Sequence, residues 1–326
     1  MQTPTHDHGP FLLIPRLDAK LWGGRRLEAH GFDLRAGEAI GEAVVTSPEA
    51  IIRNGTRAGQ RIGNVIAEDP LGSLGAAALR LTGNRPIFPL LVKWIDASTD
   101  LSIQVHPDDA RAPAGSLGKT EAWFVLDAEP DAKLYVGLND PADLEGLARD
   151  ARAGISVGPR MRAIPARAGD VVFLPVGTIH ALGAGVLVYE IQQPSTITYR
   201  LDDWGRVDDD GNPRDLHVEE GLAVSNAALA PTAVVPIARR MGDPALPCVI
   251  CKEFALELIE LRADETLTLG AELGPSVFTV IAGEASLAVA EAVNLSHGDT
   301  AVLLAEAGPV SLRTPTGASL LRGWVP

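Results

Sequence analysis

Two histidines, a glutamate and a glutamine are spaced along this chain in a way that suits a divalent metal ion. The first stretch, 101–121, reads LSIQVHPDDARAPAGSLGKTE. Leu101, Ile103 and Val105 alternate with Ser102, Gln104 and His106, so a strand here puts the polar three on one face. Pro107 argues against simple continuation, and Asp108-Asp109 reads as a turn. Gly118-Lys119-Thr120-Glu121 leads into AWFVL, a second strand-like run. Further on, Gly169-Asp170 precedes VVFL and then Pro175-Val176-Gly177-Thr178-Ile179-His180. That proline and glycine make a tight turn able to present His180 inwards from a wall of strands. Imidazoles and a carboxylate are ligands that zinc accepts, with a position left open when the site is catalytic. Gln104 is the unusual member. Its amide oxygen can ligate, or it can hydrogen-bond to a ligand from behind.

Cations surround this set in sequence. Lys119 lies two residues before Glu121 and can share its face. Arg200 follows ITY on a strand-like run close to Glu190. Arginine clamps a phosphate or a developing enediolate oxygen. Lys93, Arg206 and Arg214 are further candidates, and Lys93 and Arg206 read equally well as ion-pair or surface residues. His30, His217 and His297 have no comparable company and read as structural or surface groups, while His6 and His8 read as tail residues. Cys248 and Cys251 have the two-residue gap of a zinc or redox pair, but no second pair exists. Beside or within one strand they read as core residues.

The whole chain sets limits. Its 326 residues suffice for two domains. Gly (33) and Pro (24) favour many turns over long helices. The net charge of -14 leaves no basic stripe for nucleic acid or an anionic membrane surface. A small phosphorylated substrate needs only a few local cations, whatever the global sum. The N-terminus lacks a signal-peptide plan, and no apolar run is long enough to span a bilayer. With two cysteines a disulfide framework is excluded, and a cytoplasmic address is expected. Monomer and homodimer are both compatible with the sequence.

The elements that must position these groups are mostly strands. FLLIPRLDAKLWGGRRL, starting at Phe11, reads as short strands broken by Pro15 and Gly23-Gly24. Residues 55–85 read as a patch of short helices, with Ile62, Val65, Ile66, Leu71, Leu74, Leu79 and Leu81 as its apolar residues. Residues 140–152 are the clearest helix, with Asp140 as cap and Pro141 in the first turn. Residues 216–224 suggest another short helix. Residues 225–247 read as a connector, so the expected domains are 1–230 and 231–326. After 249 seven short strands suggest a barrel or sandwich, with SVFTVIAG and EASLAVAE as separate strands. Gly298-Asp299-TAVLL echoes Gly169-Asp170-VVFL, but no histidine follows. The first domain should therefore hold the metal, and the second should be a metal-free relative.

The stretches LSIQVHPDD, GKTEAWFVL, GDVVFLPVGTIHAL, YEIQQPSTITYR and GNPRDLH resemble the type I mannose-6-phosphate isomerases in their short bacterial form. The resemblance covers most of residues 10–220. It implies an all-β chain of two cupin jelly-roll barrels with short helical insertions, one barrel catalytic and one degenerate. It implies one zinc ion per chain on Gln104, His106, Glu121 and His180, and interconversion of mannose 6-phosphate and fructose 6-phosphate through a cis-enediolate. Arg200, Glu190 and Lys119 are then the expected catalytic residues. Ser102, Lys93, Lys119 and Arg214 are expected at the substrate. The chain departs from the family at Ala184, where the general cupin pattern has asparagine, and at Leu201-Asp202-Asp203-Trp204, which puts Trp204 forward as a reshaper of the sugar pocket. The proton-transferring base stays open between Glu190 and a metal-bound water, with His180 eligible only if it is not a ligand. Two alternatives remain: another metal-dependent cupin, such as an epimerase or oxygenase, and a non-catalytic sugar-binding cupin. Four intact candidate ligands speak against the last, and an amide ligand speaks against an oxygenase.

Overall fold

The computed structural model describes residues 8–208, 210–233, 244–270 and 274–326. His6 and part of the expected connector lie outside them. Strand Val186–Gln192 shows how the core is laid out, since all of its residues are buried. It sits between strands Leu91–Ala97 and Glu121–Ala128, antiparallel to both. Val186 and Val188 join one apolar cluster, while Leu187, Tyr189 and Ile191 join another. A sheet covered on both faces needs apolar residues at consecutive positions, which is why this segment reads as an unbroken run.

The sheet has six strands, in the order Val171–Leu174, Glu121–Ala128, Val186–Gln192, Leu91–Ala97, Glu42–Thr46 and Arg16–Asp18. A five-stranded sheet faces it, in the order Tyr199–Asp202, Ile103–Val105, His180–Leu182, Lys133–Leu138 and Met161–Pro165. Leu134, Val136 and Leu182 of the second sheet pack against Ile95, Val125, Val172 and Val188 of the first. Each such side chain, fully buried, stabilises by roughly 1.5–3 kcal/mol. This sandwich therefore holds together through apolar contacts that the candidate metal ligands do not make.

The far face of the six-stranded sheet covers the C-terminal part. Trp94, Phe124, Tyr189 and Ile191 pack with Phe254, Leu256, Val277 and Leu321. The C-terminal strands form a ten-stranded sheet that also takes in Phe11–Ile14 and Ile51–Ile52 from the N-terminal segment. The chain thus crosses the 230/231 boundary early, since Phe11 pairs with Val302. The patch at 55–85 is helical, with helices Ile62–Glu68 and Pro70–Leu81. Helix Leu144–Arg152 follows a single tight turn, and Asp140 accepts a hydrogen bond from the Ala142 N–H at 2.9 Å. The helix expected over 216–224 spans Val218–Val224.

Two expectations need correction. The all-β class holds, but among the described residues no sheet closes into a barrel; the six- and five-stranded sheets are open paths, and the ten-stranded sheet branches at Ser276–Ala288. The strands SVFTVIAG and EASLAVAE are one strand, Ser276–Ala288. Its Gly283 (φ 73°) does not end the strand. The register shifts at Val280/Ala282, and a side chain at 283 would come within 2.2 Å of the Gly317 carbonyl oxygen. The glycine permits a bulge and a close backbone approach rather than a turn.

The sequence echo corresponds to a shared turn. Asp170 Oδ2 accepts from the Arg167 N–H at 3.1 Å, and Asp299 Oδ2 accepts from the Ser296 N–H at 2.9 Å. Beside the second turn, His297 meets His30 across the two parts of the chain, with Nε2 and Nδ1 3.1 Å apart. Both rings lie near Trp94. Burial, and then His297, lowers the pKa of His30; burial lowers that of His297. The folded state therefore binds fewer protons than the unfolded chain, and this stability is lost as pH falls below the ordinary imidazole value of about 6.5. Thermal unfolding should drop more steeply between about pH 7.5 and about pH 5.5 in the native chain than in His297→Gln. Parallel slopes would remove the pair from the stability account.

Candidate metal centre and substrate cavity

The ligand candidates come from both sheets of the sandwich. Gln104 sits mid-strand in Ile103–Val105, flanked in register by His180 on one side and Arg200 on the other. Directly opposed residues of paired strands share a face, so these three form one row. Glu121 arrives from the facing sheet at the start of its strand. His106, Glu121 and His180 are buried, and one ligand atom from each lies within 4.8 Å of the others. Among the described residues this is the one such group of histidine, cysteine and acidic side chains.

The imidazoles are held by backbone carbonyls. His106 donates its Nδ1–H to Ile197 O at 2.8 Å, and His180 donates its own to Thr178 O at 2.9 Å. A carbonyl only accepts, so each ring keeps the tautomer with a bare Nε2 lone pair. His180 Nε2 lies 3.1 Å from Glu121 Oε1, while His106 Nε2 lies 3.6 Å from Oε2 and 3.1 Å from the Lys119 ammonium, which can donate to it. Neither carboxylate oxygen receives a well-directed hydrogen bond, although Lys119 Nζ stands 2.8 Å from Oε2. Several acceptors facing one another in a dry site are costly without a cation between them. The donor set therefore fits a metal ion. Gln104 places its amide 3.4 Å from His180 and 3.5 Å from His106, while Ser102 Oγ donates to Gln104 Oε1 at 3.2 Å. The two ends of an amide are nearly isosteric, and a serine hydroxyl accepts as well as donates. Either end of Gln104 can face the centre.

Charge is graded across the site. Burial works against ionisation of Glu121, but Lys119 and the imidazoles outweigh it and hold its pKa well below the usual carboxylate range. Burial pushes His106 well below the usual imidazole value, and Lys119 adds to this. Burial also opposes the charge on Lys119, yet Glu121 and Glu190 raise its pKa. Glu190 goes the other way. Burial, and then the charge of Glu121, raises its pKa against the pull of Lys119 and Lys93. Its Oε2 accepts from the Trp123 indole N–H at 3.0 Å, while its buried Oε1 has no hydrogen-bond partner among the described residues.

A cavity of about 690 Å³ opens beside this cluster. Gln104 and Lys119 line it and touch the buried trio. Ser102, Lys93, Glu190, Arg200 and Arg214 line it too. Arg200 donates Nη1–H to Asp215 O at 2.7 Å, and no carboxylate pairs with it among the described residues. Arg214 is forked onto Asp203, and Lys93 lies 3.4 Å from Glu42 and 3.8 Å from Glu190.

Trp204 is not part of this cavity. Its φ is +59°, its indole N–H donates to Leu101 O at 2.7 Å, and its ring packs on Tyr135. Arg206 is likewise tied to Asp203 and the Asp100 carbonyl. Cys248 and Cys251 are free and half-buried; burial pushes their thiols to about 12 and about 11, so both are inert at neutral pH. The sequence reading passed over Lys20 and Glu42 of the cavity wall. Glu42 had one usable signal, an acid at the head of the apolar strand Glu42–Thr46.

No protein-family model matches the chain. It is 38% identical over 224 residues to a mannose-6-phosphate isomerase of Streptococcus mutans, an alignment covering 66% of this chain and 67% of that one. It is 35% identical over 243 residues to a probable mannose-6-phosphate isomerase of Bacillus subtilis, covering 72% and 74%. The crystal structure of a mannose 6-phosphate isomerase from Bacillus subtilis superposes with a TM-score of 0.80 at 27% identity, covering 96% of this chain and 99% of that one.

Proposed function

The chain belongs to the mannose-6-phosphate isomerase family, and from that premise we propose that it interconverts mannose 6-phosphate and fructose 6-phosphate at the His106–Glu121–His180 centre, with zinc as its metal. The observation that carries the proposal is the buried meeting of two unprotonated imidazole Nε2 atoms and the Glu121 carboxylate within metal-ligating reach of one another, beside a cation-lined cavity. Gln104 completes the ligand set. When bound, the metal supplies Lewis-acid polarisation of the sugar oxygens at C1 and C2.

The remaining steps belong to side chains. Glu190 removes the C2 proton of the aldose as a carboxylate, carries it, and returns it to C1 of the cis-enediolate, while the O2 hydroxyl proton passes to O1. A carboxyl with a raised pKa is suited to holding that proton between the two transfers. Arg200, beside Gln104 in the same row, balances the enediolate charge. Ser102, Lys93, Lys119 and Arg214 hold the phosphate, whose remote binding energy orients the reacting end. Trp204 is given no role at the sugar. The two halves, 1–230 and 231–326, serve as a catalytic unit and its metal-free companion. Among the described residues no helix is long and apolar enough to cross a membrane. We place the chain in the cytoplasm on its two free thiols.

The test is a coupled assay of the purified chain with mannose 6-phosphate, before and after chelation and zinc return. Fructose 6-phosphate should form, cease with chelator and resume with zinc, while circular dichroism stays unchanged throughout. Turnover that persists in metal-free protein would overturn the metal centre. Tight zinc binding without product would move the substrate to another sugar phosphate.

A further inference from the structure

We propose that Glu42 is a positioning residue for the isomerisation: by holding the Lys93 ammonium, it keeps Glu190 free to take up and release a proton. The inference rests on the reading of Glu190 as the proton carrier.

Glu42 opens strand Glu42–Thr46, two residues before Val44, which pairs with Lys93. On a strand, positions two apart share a face, so Glu42 and Lys93 meet diagonally on the cavity side. Across the next strand Glu42 stands opposite Asp18. Two acids directly opposed repel each other unless cations stand between them. Lys20 does so, with Nζ 3.2 Å from Glu42 and 3.9 Å from Asp18, and Arg16 is forked onto Asp18. The other oxygen of Glu42 faces Lys93 Nζ at 3.4 Å.

Lys93 is thereby shared. Its Nζ lies 3.8 Å from Glu190 Oε1, the oxygen without a hydrogen bond. Lys119 and Glu121 also act on Glu190 from the Glu121–Ala128 side. The side chains of Glu42 and Lys93 are each 16% exposed and that of Glu190 is 4% exposed, so water does little to screen the contest between the two acids. Without Glu42, the ammonium is free to close on Glu190 as a short ion pair. That pairing would fix Glu190 as a carboxylate and leave it unable to carry a proton. Burial opposes the charge on Glu42, but Lys93 and Lys20 outweigh it and hold its pKa below the usual carboxylate value, so Glu42 stays a carboxylate able to restrain Lys93.

The test is Glu42→Gln, which keeps shape and removes charge. With mannose 6-phosphate, kcat should fall by about 10- to 100-fold, below the full range for loss of a general acid–base group, while KM changes by less than about twofold. Adding Lys93→Met to Glu42→Gln should return the titration of Glu190 towards its native pH, because no ammonium remains to lock Glu190. Infrared difference spectroscopy reads the same point without turnover. The protonated-carboxyl band lost in Glu190→Gln should titrate at lower pH in Glu42→Gln than in the native chain. A fall in kcat with that band unmoved would make Glu42 merely structural and overturn the proposal, as would a band that moves to higher pH. If the native chain fails to turn over mannose 6-phosphate, the assigned reaction falls, and the infrared comparison still decides whether Glu42 governs Glu190.

Discussion

Glu121→Gln should purify with little or no metal and with turnover reduced by about a thousandfold or more, roughly 4 kcal/mol of barrier. Glu121 is fully buried and is the only anion in the His106–Glu121–His180 group. Its two oxygens lack well-directed hydrogen bonds, so a cation bound there gains a buried, under-satisfied anion as partner. Glutamine keeps the volume and removes the charge. The same change strands Lys119, whose side chain is 5% exposed and whose Nζ lies 2.8 Å from Glu121. Removing one partner of a buried pair costs about 3–5 kcal/mol of stability, so the melting temperature should fall as well. His180→Asn separates the two effects. It leaves the Lys119–Glu121 pair in place and should lose metal with little thermal penalty. Elemental analysis, circular dichroism melts and the coupled assay together give the answer. Full metal content in both variants would place the metal elsewhere.

Arg200→Ala should show the opposite signature, with metal content unchanged and kcat lower by roughly 100- to 1,000-fold, the scale of losing one charge-stabilising donor. Arg200 faces the cavity next to Gln104, and among the described residues its guanidinium has no carboxylate partner. Burial, and then Arg214, lowers its pKa, but an arginine remains charged at neutral pH. A cation held without a counter-ion in a cavity is poised for charge that the substrate brings or develops. Lysine at this position should recover little, since a point charge does not reproduce the planar fork. Loss of metal together with activity would mean that Arg200 acts by supporting Gln104, and its role would then be structural.

The chemistry was legible in the sequence because it depends on residue type and local spacing. Alternation over 101–106 put Ser102, Gln104 and His106 on one face before any contact was known. The Pro175–Gly177 turn marked His180 as presented rather than merely present. Asp140-Pro141 marked the start of a helix, and the helical patch at 55–85 followed from its apolar spacing. These signals are local, and the residues that produce them lie within a turn or two of one another.

What the sequence left open was decided over long range. Period-two alternation states which face a side chain takes, but not which strand lies beside it or in what register. Only the pairing of Ile103–Val105 with both His180–Leu182 and Tyr199–Asp202 puts Arg200, Gln104 and His180 in one row. Only the pairing of Glu42–Thr46 with Leu91–Ala97 brings Glu42 to Lys93, and so to Glu190. The departure from the family pattern at Leu201-Asp202-Asp203-Trp204 put Trp204 forward as a pocket residue, yet a positive φ and a hydrogen bond to Leu101 O turn it onto Tyr135. Gly283 looked like a turn, but a bulge absorbs it because the Gly317 backbone approaches too closely for any side chain. The sequence by itself determined the kinds of groups that can hold a metal and move a proton. The tertiary structure decided which of them meet, because backbone pairing and two-sided burial fix neighbours that lie far apart in the chain, as Phe11 and Val302 do.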